Sequence, residues 1–566
     1  MRNLFIAGVL AGLLGLAAEA GAAGLALTNA RVYTLDPARP WATTVVIEAG
    51  RIARVGDAEV LAGGEGLRVV DLRGRMLLPA FQDTHAHLAS GGVAYTECPV
   101  FDLPDLDAVL AGIRACAESQ PEGALVRGKG WTMDQVPGGE PPLREWLDAV
   151  DATRPLVFAD ADGHALWLNG KALAAYGITA ATPDPPGGLI PRVAGGREPR
   201  GTLHEDSAMN LVMDRWPAYT DAQIAAGLRY AQRHFHSLGI TAVQEALVRI
   251  DGRSWYRSLP AYHALAMAGE LKLRASLALQ WESGGGAALV AKMQALREQY
   301  DSERLRVNMV KFWADGVVET RTAMLLEPYS DQPDTRGLMM VPREELLEYV
   351  PVMDAAGFQV HVHAIGDAAV RWSLDAFEAA GRANGRRDAR HHVNHLQFVH
   401  PDDIGRFAAL GIGASFEPYW AYEDDYITLL TRPRVGPERI RNTYPIRAII
   451  DTGARVAFSS DWSVTSADPL LGIETAVTRT DPHSNSGPPF LPEQAVTLAQ
   501  ALAAYTREAA WFNGLEATTG SIEPGKYADL VVLDRDLFAI PAGEISEARV
   551  TATLFAGELV YGALEP

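Results

Sequence analysis

Eight short apolar segments, each bounded by Gly, Pro or charge, recur along the middle of this chain and alternate with helical patterns. They lie at 77–87, 239–245, 272–280, 305–313, 357–363, 391–397, 411–416 and 454–461. Continuous apolar runs of this length suit strands buried on both faces. Helices lie between several of them. Residues 221–239 carry an apolar stripe at Ile224, Leu228, Ala231 and Phe235, with Asp221 near the cap, and 497–514 form a second pattern closed by Gly514. Eight such alternations predict an α/β chain folded as a (β/α)8 TIM-like barrel.

Spacing divides the chain further. From His395 to Asp461 each strand–helix unit takes roughly 33 residues, ordinary for the motif. Between His87 and Thr241 more than a hundred residues are extra, with strand-like pieces (ALVRGKGW, PLVFADADGH) and Pro/Gly-rich stretches (VPGGEPP, TPDPPGG). Residues about 90–215 are therefore expected to form an inserted cap after the first barrel strand. Both ends are strand-rich. Residues 23–78 contain LALTNARVYTL and ATTVVIEAGRIARVGD, where Ala49-Gly50 signals a hairpin, and 519–566 contain YADLVVLD and VTATLFAGELVYG. They predict one small composite β-sandwich built from both termini around a barrel at 79–518.

The first residues read as an address. After Arg2, residues 4–18 (LFIAGVLAGLLGLAA) are uncharged and mostly apolar, and Ala18-Glu19-Ala20 and Ala20-Gly21-Ala22 have cleavage spacing. The run is short for a bilayer, so 1–22 is expected to be a signal peptide, and the mature protein to be exported, periplasmic or secreted, without a membrane partner. Cys98 and Cys116 would then meet an oxidising compartment, either paired or as two buried thiols. With 70 Asp+Glu against 50 Lys+Arg, the net charge is −20, which argues against a nucleic-acid partner. A small-molecule substrate is expected; a homo-oligomer stays open.

Chemistry-bearing residues collect at strand ends. His85 and His87, in AFQDTHAH, stand at i and i+2 and so face one side of a strand. Lys311 ends the fourth segment, His363 the fifth and Asp461 the eighth, and His395 lies in the sixth. Imidazoles and a carboxylate converging on the carboxyl end of a barrel are metal-ligand types at the place where such active sites form.

With those residues in hand, PAFQDTHAHL, VKFWADG, VHAIGDAAV, VNHLQ, SSDWSV and GSIEPGKYADLVVLD resemble, in order, the motifs of the metal-dependent amidohydrolase superfamily. The branch they look most like is the N-substituted formamide deformylase-like, amidohydrolase-3 type. The resemblance runs from about residue 25 to 562. It implies the barrel and composite sandwich reached above. It also implies a divalent metal, zinc foremost, with one or two ions per chain. His85 and His87 would hold the more buried ion, His363 and His395 a second, and Asp461 would ligate metal and act as general base and then acid. Lys311 stands where many members carry a carboxylated lysine bridging two metals; the other reading is an uncharged or ion-paired lysine beside Asp315 in a one-metal site. Asn394, Glu417, Ser463 and Gln244-Glu245 depart from the branch's usual residues without removing a ligand.

A metal-activated water attacking a carbonyl needs no separate nucleophile, and no GxSxG or GxxxxGK[ST] is present. His164, in DGH, is expected to reach the site and polarise or orient substrate. Trp131 and Glu205 are family-like substrate positions, and Arg321 could hold an anionic group. Tyr419, Trp420, Tyr422 and Tyr426 offer an aromatic wall or plain cap packing. The leading expectation is an exported hydrolase of a non-peptide C–N bond: amide, formamide or N-acyl amine. A lactone, carbamate or small dipeptide on the same fold, and a non-catalytic exported binding protein, are its rivals.

Overall fold

A computed structural model describes residues 24–250 and 257–565; the expected signal peptide lies outside the described residues. The eight central strands are β1 (Phe81–Ala86), β2 (Ile240–Val248), β3 (Arg274–Gln280), β4 (Leu305–Trp313), β5 (Gln359–Ala364), β6 (His392–His395), β7 (Gly413–Phe416) and β8 (Val456–Phe458). Each pairs in parallel with its sequence neighbour. The ring closes where β1 meets the segment after β8. Asp461 N donates to His85 O at 2.8 Å and His87 N to Trp462 O at 2.5 Å, so backbone bonds fix the first and last strand ends against each other.

The first predicted strand, 77–87, is two strands. Met76–Pro79 belongs to the sandwich and Phe81–Ala86 to the barrel. Pro79 has no N–H to continue a ladder, and the amides on either side of the junction go elsewhere: Ala80 N to Asp529 O, Phe81 N to Gly239 O. The chain therefore changes sheets at Ala80. The predicted helix 497–514 is likewise divided into Leu498–Ala504 and Arg507–Phe512. Tyr505 turns its carbonyl to Gln82 N of β1 at 2.7 Å, and Thr506 leaves helical geometry. Helix Asp221–Ser237 is capped by Thr220, whose hydroxyl accepts from Gln223 N in a reciprocal capping box; its predicted stripe is buried. It crosses helix Leu88–Glu97 so closely that a Cβ on Gly92 would lie 2.1 Å from Gly227 O.

The sandwich joins both ends of the chain: Leu530–Leu533 runs antiparallel to Met76–Pro79, completing a six-stranded sheet that faces a four-stranded one. Leu27, Val45, Ile47, Leu77, Leu530 and Leu554 fill the space between. The hairpin at Ala49-Gly50 is present, both residues having positive φ, +49° and +77°, as a two-residue turn between right-twisted strands requires. The cap is built on its own four-stranded sheet, ordered Thr202–His204, Ala165–Leu168, Leu156–Asp160, Val126–Trp131. Cys98 and Cys116 form a disulfide within it, with Cα atoms 5.9 Å apart.

Candidate metal centre

β1 delivers two imidazoles and the turn after β8 a carboxylate to one point. His87 Nε2 lies 3.1 Å and His85 Nε2 3.4 Å from Asp461 Oδ1. Among the described residues these three form the group whose ligand atoms all lie within 4.8 Å of one another. Asp461 holds φ at +54°, a costly conformation for a carboxylate residue that its amide bond to His85 O fixes. His363 ends β5 and His395 ends β6, with ring centroids 4.4 Å apart and the His395 ring 4.6 Å from that of His85. Lys311, on β4, is buried beneath them.

Three buried atoms facing this point, His85 Nε2, Asp461 Oδ1 and His395 Nε2, have no hydrogen-bond partner among the described residues. Burying such groups unsatisfied is unfavourable, and imidazole with carboxylate is the donor chemistry of a divalent cation. The residues present therefore fit a metal. Burial, then the charge of Lys311, pushes the His85 imidazole well below its ordinary pKa, and burial lowers His87, so both are held neutral as ligands must be.

A surrounding layer aims these groups. His361, the other imidazole of β5, places Nε2 3.0 Å from His85 Nδ1, which leaves His85 Nε2 for the metal side. His395 Nδ1 lies 3.1 Å from Glu417 Oε2, whose other oxygen accepts from Ser459 Oγ at 2.9 Å. Asp83 accepts from the His85 amide and from Ser460 Oγ, and burial pushes its carboxyl up to about 7. Burial also lowers the Lys311 ammonium to about 8, against the opposing pull of Asp461 and Glu417. Asp315 is no partner for it: its two oxygens accept from the amides of Met324, Ile365 and Gly366.

Above the centre, barrel and cap enclose a cavity of about 300 Å³ lined by His85, His87, Lys311, His363, His395 and Asp461 among others. His164 lines it from the cap, its ring 5.7 Å from that of His363. Burial lowers this imidazole, but the adjacent Glu205 more than reverses the effect and raises it to about 9.

The other expected substrate contacts lie elsewhere. Glu205 is behind His164: Oε2 is 2.8 Å from His164 Nδ1, and Oε1 accepts from Thr322 Oγ1 at 2.5 Å. It positions the imidazole rather than meeting the cavity. Trp131 packs into the cap, 5.9 Å from Trp167, with Nε1 donating to Phe158 O at 2.9 Å. Arg321 is spent on Asp331, donating from Nε and an Nη at 3.0 and 2.6 Å, and does not line the cavity. Of the aromatic set, Trp420 and Tyr426 line the cavity, whereas Tyr419 points outward to His483. Two contributors were not anticipated, His361 and Lys129. The second lines the cavity from strand Val126–Trp131. The pair His361/His363 repeats the i, i+2 spacing of His85/His87 and was readable on that ground.

Comparison with known proteins agrees with this geometry. The amidohydrolase family matches residues 68–561. An N-substituted formamide deformylase of Arthrobacter pascens is 30% identical over 95% of this chain and 98% of its own. The protein LONG AFTER FAR-RED 3 of Arabidopsis thaliana is 31% identical over 95% of this chain and 92% of its own. Among solved structures, an uncharacterised metal-dependent hydrolase of Pyrococcus horikoshii superposes with a TM-score of 0.71 at 26% identity, covering 92% of this chain and 99% of that one. With eight strand ends converging on imidazoles and a carboxylate, and the family matched over most of its length, the chain belongs to the amidohydrolase family of metal-dependent hydrolases.

Proposed function

We propose that this protein hydrolyses a non-peptide C–N bond in a small amide, formamide or N-acyl amine. The observation that carries the reading is the His85, His87 and Asp461 group, with buried ligand atoms unpartnered among the described residues at the floor of the cavity. The 30% identity to a formamide deformylase supports the bond class.

His85, His87 and Asp461 would hold a divalent cation, zinc being the first choice, and the chemistry it would supply when bound is a lowered water pKa and a polarised carbonyl. Asp461 is placed to take a proton from the attacking water and return it to the departing nitrogen, one carboxylate serving both directions. His361 and Asp83 hold His85 in orientation. His164, kept cationic by Glu205, presents its second ring N–H toward the cavity, where it can donate to a carbonyl oxygen that gains negative charge. The apolar cavity walls, Val93, Leu166 and Met209 from the cap and Ile427 from the segment after β7, exclude water and strengthen these interactions.

His363 and His395 are proposed as holders of a second ion, and Lys311 as carboxylated: its neutral amine would add CO2 and release a proton, and burial, which lowers the ammonium to about 8, favours that neutral form. Export is proposed too; the Cys98–Cys116 disulfide supports an oxidising destination.

The test is turnover of a matched panel of formamides, acetamides, carbamates, lactones and dipeptides by protein loaded with zinc and bicarbonate, with metal counted per chain. Formamides or acetamides should be cleaved best. Preference for lactone, carbamate or dipeptide would replace the bond class. Failure to load metal would overturn the hydrolase reading.

A further inference from the structure

Four lysine and arginine side chains line the cavity, and three have a visible task. Arg127 pairs with Glu97 at 3.0 Å, Arg249 with Asp206 at 2.8 Å, and Lys311 lies at the metal floor. The fourth is Lys129. Its ammonium makes no hydrogen bond and no ion pair within 4.0 Å among the described residues. The carboxylates that act on it electrostatically, Asp160, Asp461 and Asp162, are engaged elsewhere. Asp160 accepts from Gly163 N, Asp162 from His164 N, and Asp461 faces the imidazoles.

The strand around Lys129 is constructed to put it there. Segment 98–101 runs beside the strand in parallel, with Lys129 N donating to Cys98 O at 3.3 Å and Val100 N to Lys129 O at 2.9 Å. That approach is open only because both flanking residues are glycine. A Cβ on Gly128 would sit 2.3 Å from Cys98 O, and one on Gly130 2.6 Å from Phe101 N. Gly130 also takes φ of +128°, and pairing with the next strand slips there, so Trp131 turns into the cap while Lys129 faces the cavity. The adjoining segment is itself tied by the Cys98–Cys116 disulfide. The same cavity is lined by the apolar side chains of Val93, Ala94, Met209, Met213 and Leu247.

We propose that Lys129 is a specificity-determining residue that holds a carboxylate of the substrate, so that the preferred substrate is an amide carrying one carboxylate and one apolar group. The inference rests on the hydrolase reading above for the bond broken, and on Lys129 for the group recognised. A charge-assisted contact of this kind in a partly desolvated cavity contributes strongly to binding, and a point-charge ammonium suits a carboxylate arriving from variable directions.

The test separates recognition from turnover by using ligands with no cleavable amide. N-methanesulfonyl-leucine and N-methanesulfonyl-3-methylbutylamine differ in the carboxylate alone. Each is titrated calorimetrically into the zinc-loaded full chain and into Lys129→Gln and Lys129→Arg. The native protein should bind the carboxylate ligand about 10- to 100-fold more tightly than its neutral counterpart. Lys129→Gln should erase that difference and leave the neutral ligand's affinity unchanged, and Lys129→Arg should keep part of it. A preference that survives Lys129→Gln would put the carboxylate on the metal and overturn the proposal. So would equal binding of both ligands by the native protein, or binding of neither. Turnover of the two matching formamides is measured in parallel. Cleavage without carboxylate preference sinks the role of Lys129 alone; preference without cleavage sinks the bond class alone.

Discussion

The floor of the cavity and its cap wall solve the same task, presenting polar side chains to a small enclosed space, by different means. On the floor His85, His363 and His395 stand at barrel strand ends, Lys311 lies level with His361 two residues below His363, and Asp461 sits on the turn after β8. A second residue then grips two of them, His361 holding His85 and Glu417 holding His395. On the cap wall the two cations that face the cavity stand on a bulged strand and a tight turn. Lys129 depends on two glycines and a segment tied by a disulfide, and His164 on a glutamate forty-one residues away in sequence. The difference teaches a division of labour. On the reading proposed above, the barrel fixes the groups that hold metal, and the insertion supplies the groups that meet the substrate.

The largest expected effect lies on the floor. Asp461→Asn keeps shape and removes the proton acceptor; kcat/KM should fall about 10³- to 10⁴-fold. Metal per chain should fall as well, while circular dichroism stays that of the folded protein. If the variant kept more than a tenth of native activity, Asp461 would be no base, and the contrast between floor and wall would lose its chemical half.

Next in size is the tie in the cap. The disulfide closes 18 residues of sequence, and replacing both cysteines by serine should cost about 3 kcal/mol of cap stability through the freed unfolded chain. Hydrogen exchange should quicken in strand Val126–Trp131 and not in β4 or β5, and metal per chain should be unchanged. Loss of metal in the double serine variant would show that cap and floor fold as one unit.

A smaller effect separates the two kinds of support by pH. His164 is raised to about 9 by Glu205 against the lowering effect of burial. A cationic His164 is therefore present below that value and is lost as pH rises through it, so native kcat/KM should decline above about pH 9. In Glu205→Gln the raising charge is gone and the limb should move down toward or below the ordinary histidine value. The deficit would then grow with pH and exceed roughly tenfold at pH 8. Superimposable profiles would mean that Glu205 supports the cap and does not tune the imidazole.

What the sequence disclosed follows the same line. All eight barrel strands were readable because each is an apolar run with polar punctuation, and the imidazoles because a period of two puts them on one face. The split at Ala80 was not readable, since Pro79 ends one strand and Phe81 begins another without a turn residue between them. In the cap, strict alternation makes Lys129 and Trp131 equivalent, and the indole was the more family-like choice. The slip at Gly130 decides between them, and it depends on contact with residues 98–101 that no local pattern announces. Arg321 looked like an anion holder because its partner, Asp331, lies ten residues on across an irregular loop.

The smallest expected effects are at these two displaced positions, and they sharpen the contrast by what fails to happen. Arg321→Ala removes an ion pair whose side chains are 22% and 27% exposed. Such pairs contribute at most about 1 kcal/mol, and kcat/KM should change less than about twofold, for carboxylate-bearing and neutral substrates alike. Trp131→Phe deletes the indole N–H that satisfies Phe158 O and leaves most of the ring volume, so it should lower the thermal midpoint through a loss of about 1–2 kcal/mol. Its kcat/KM should again stay within about twofold. Were Arg321→Ala to weaken an anionic substrate selectively, the anion-holding role would return to it, and the unpaired ammonium of Lys129 would need another explanation.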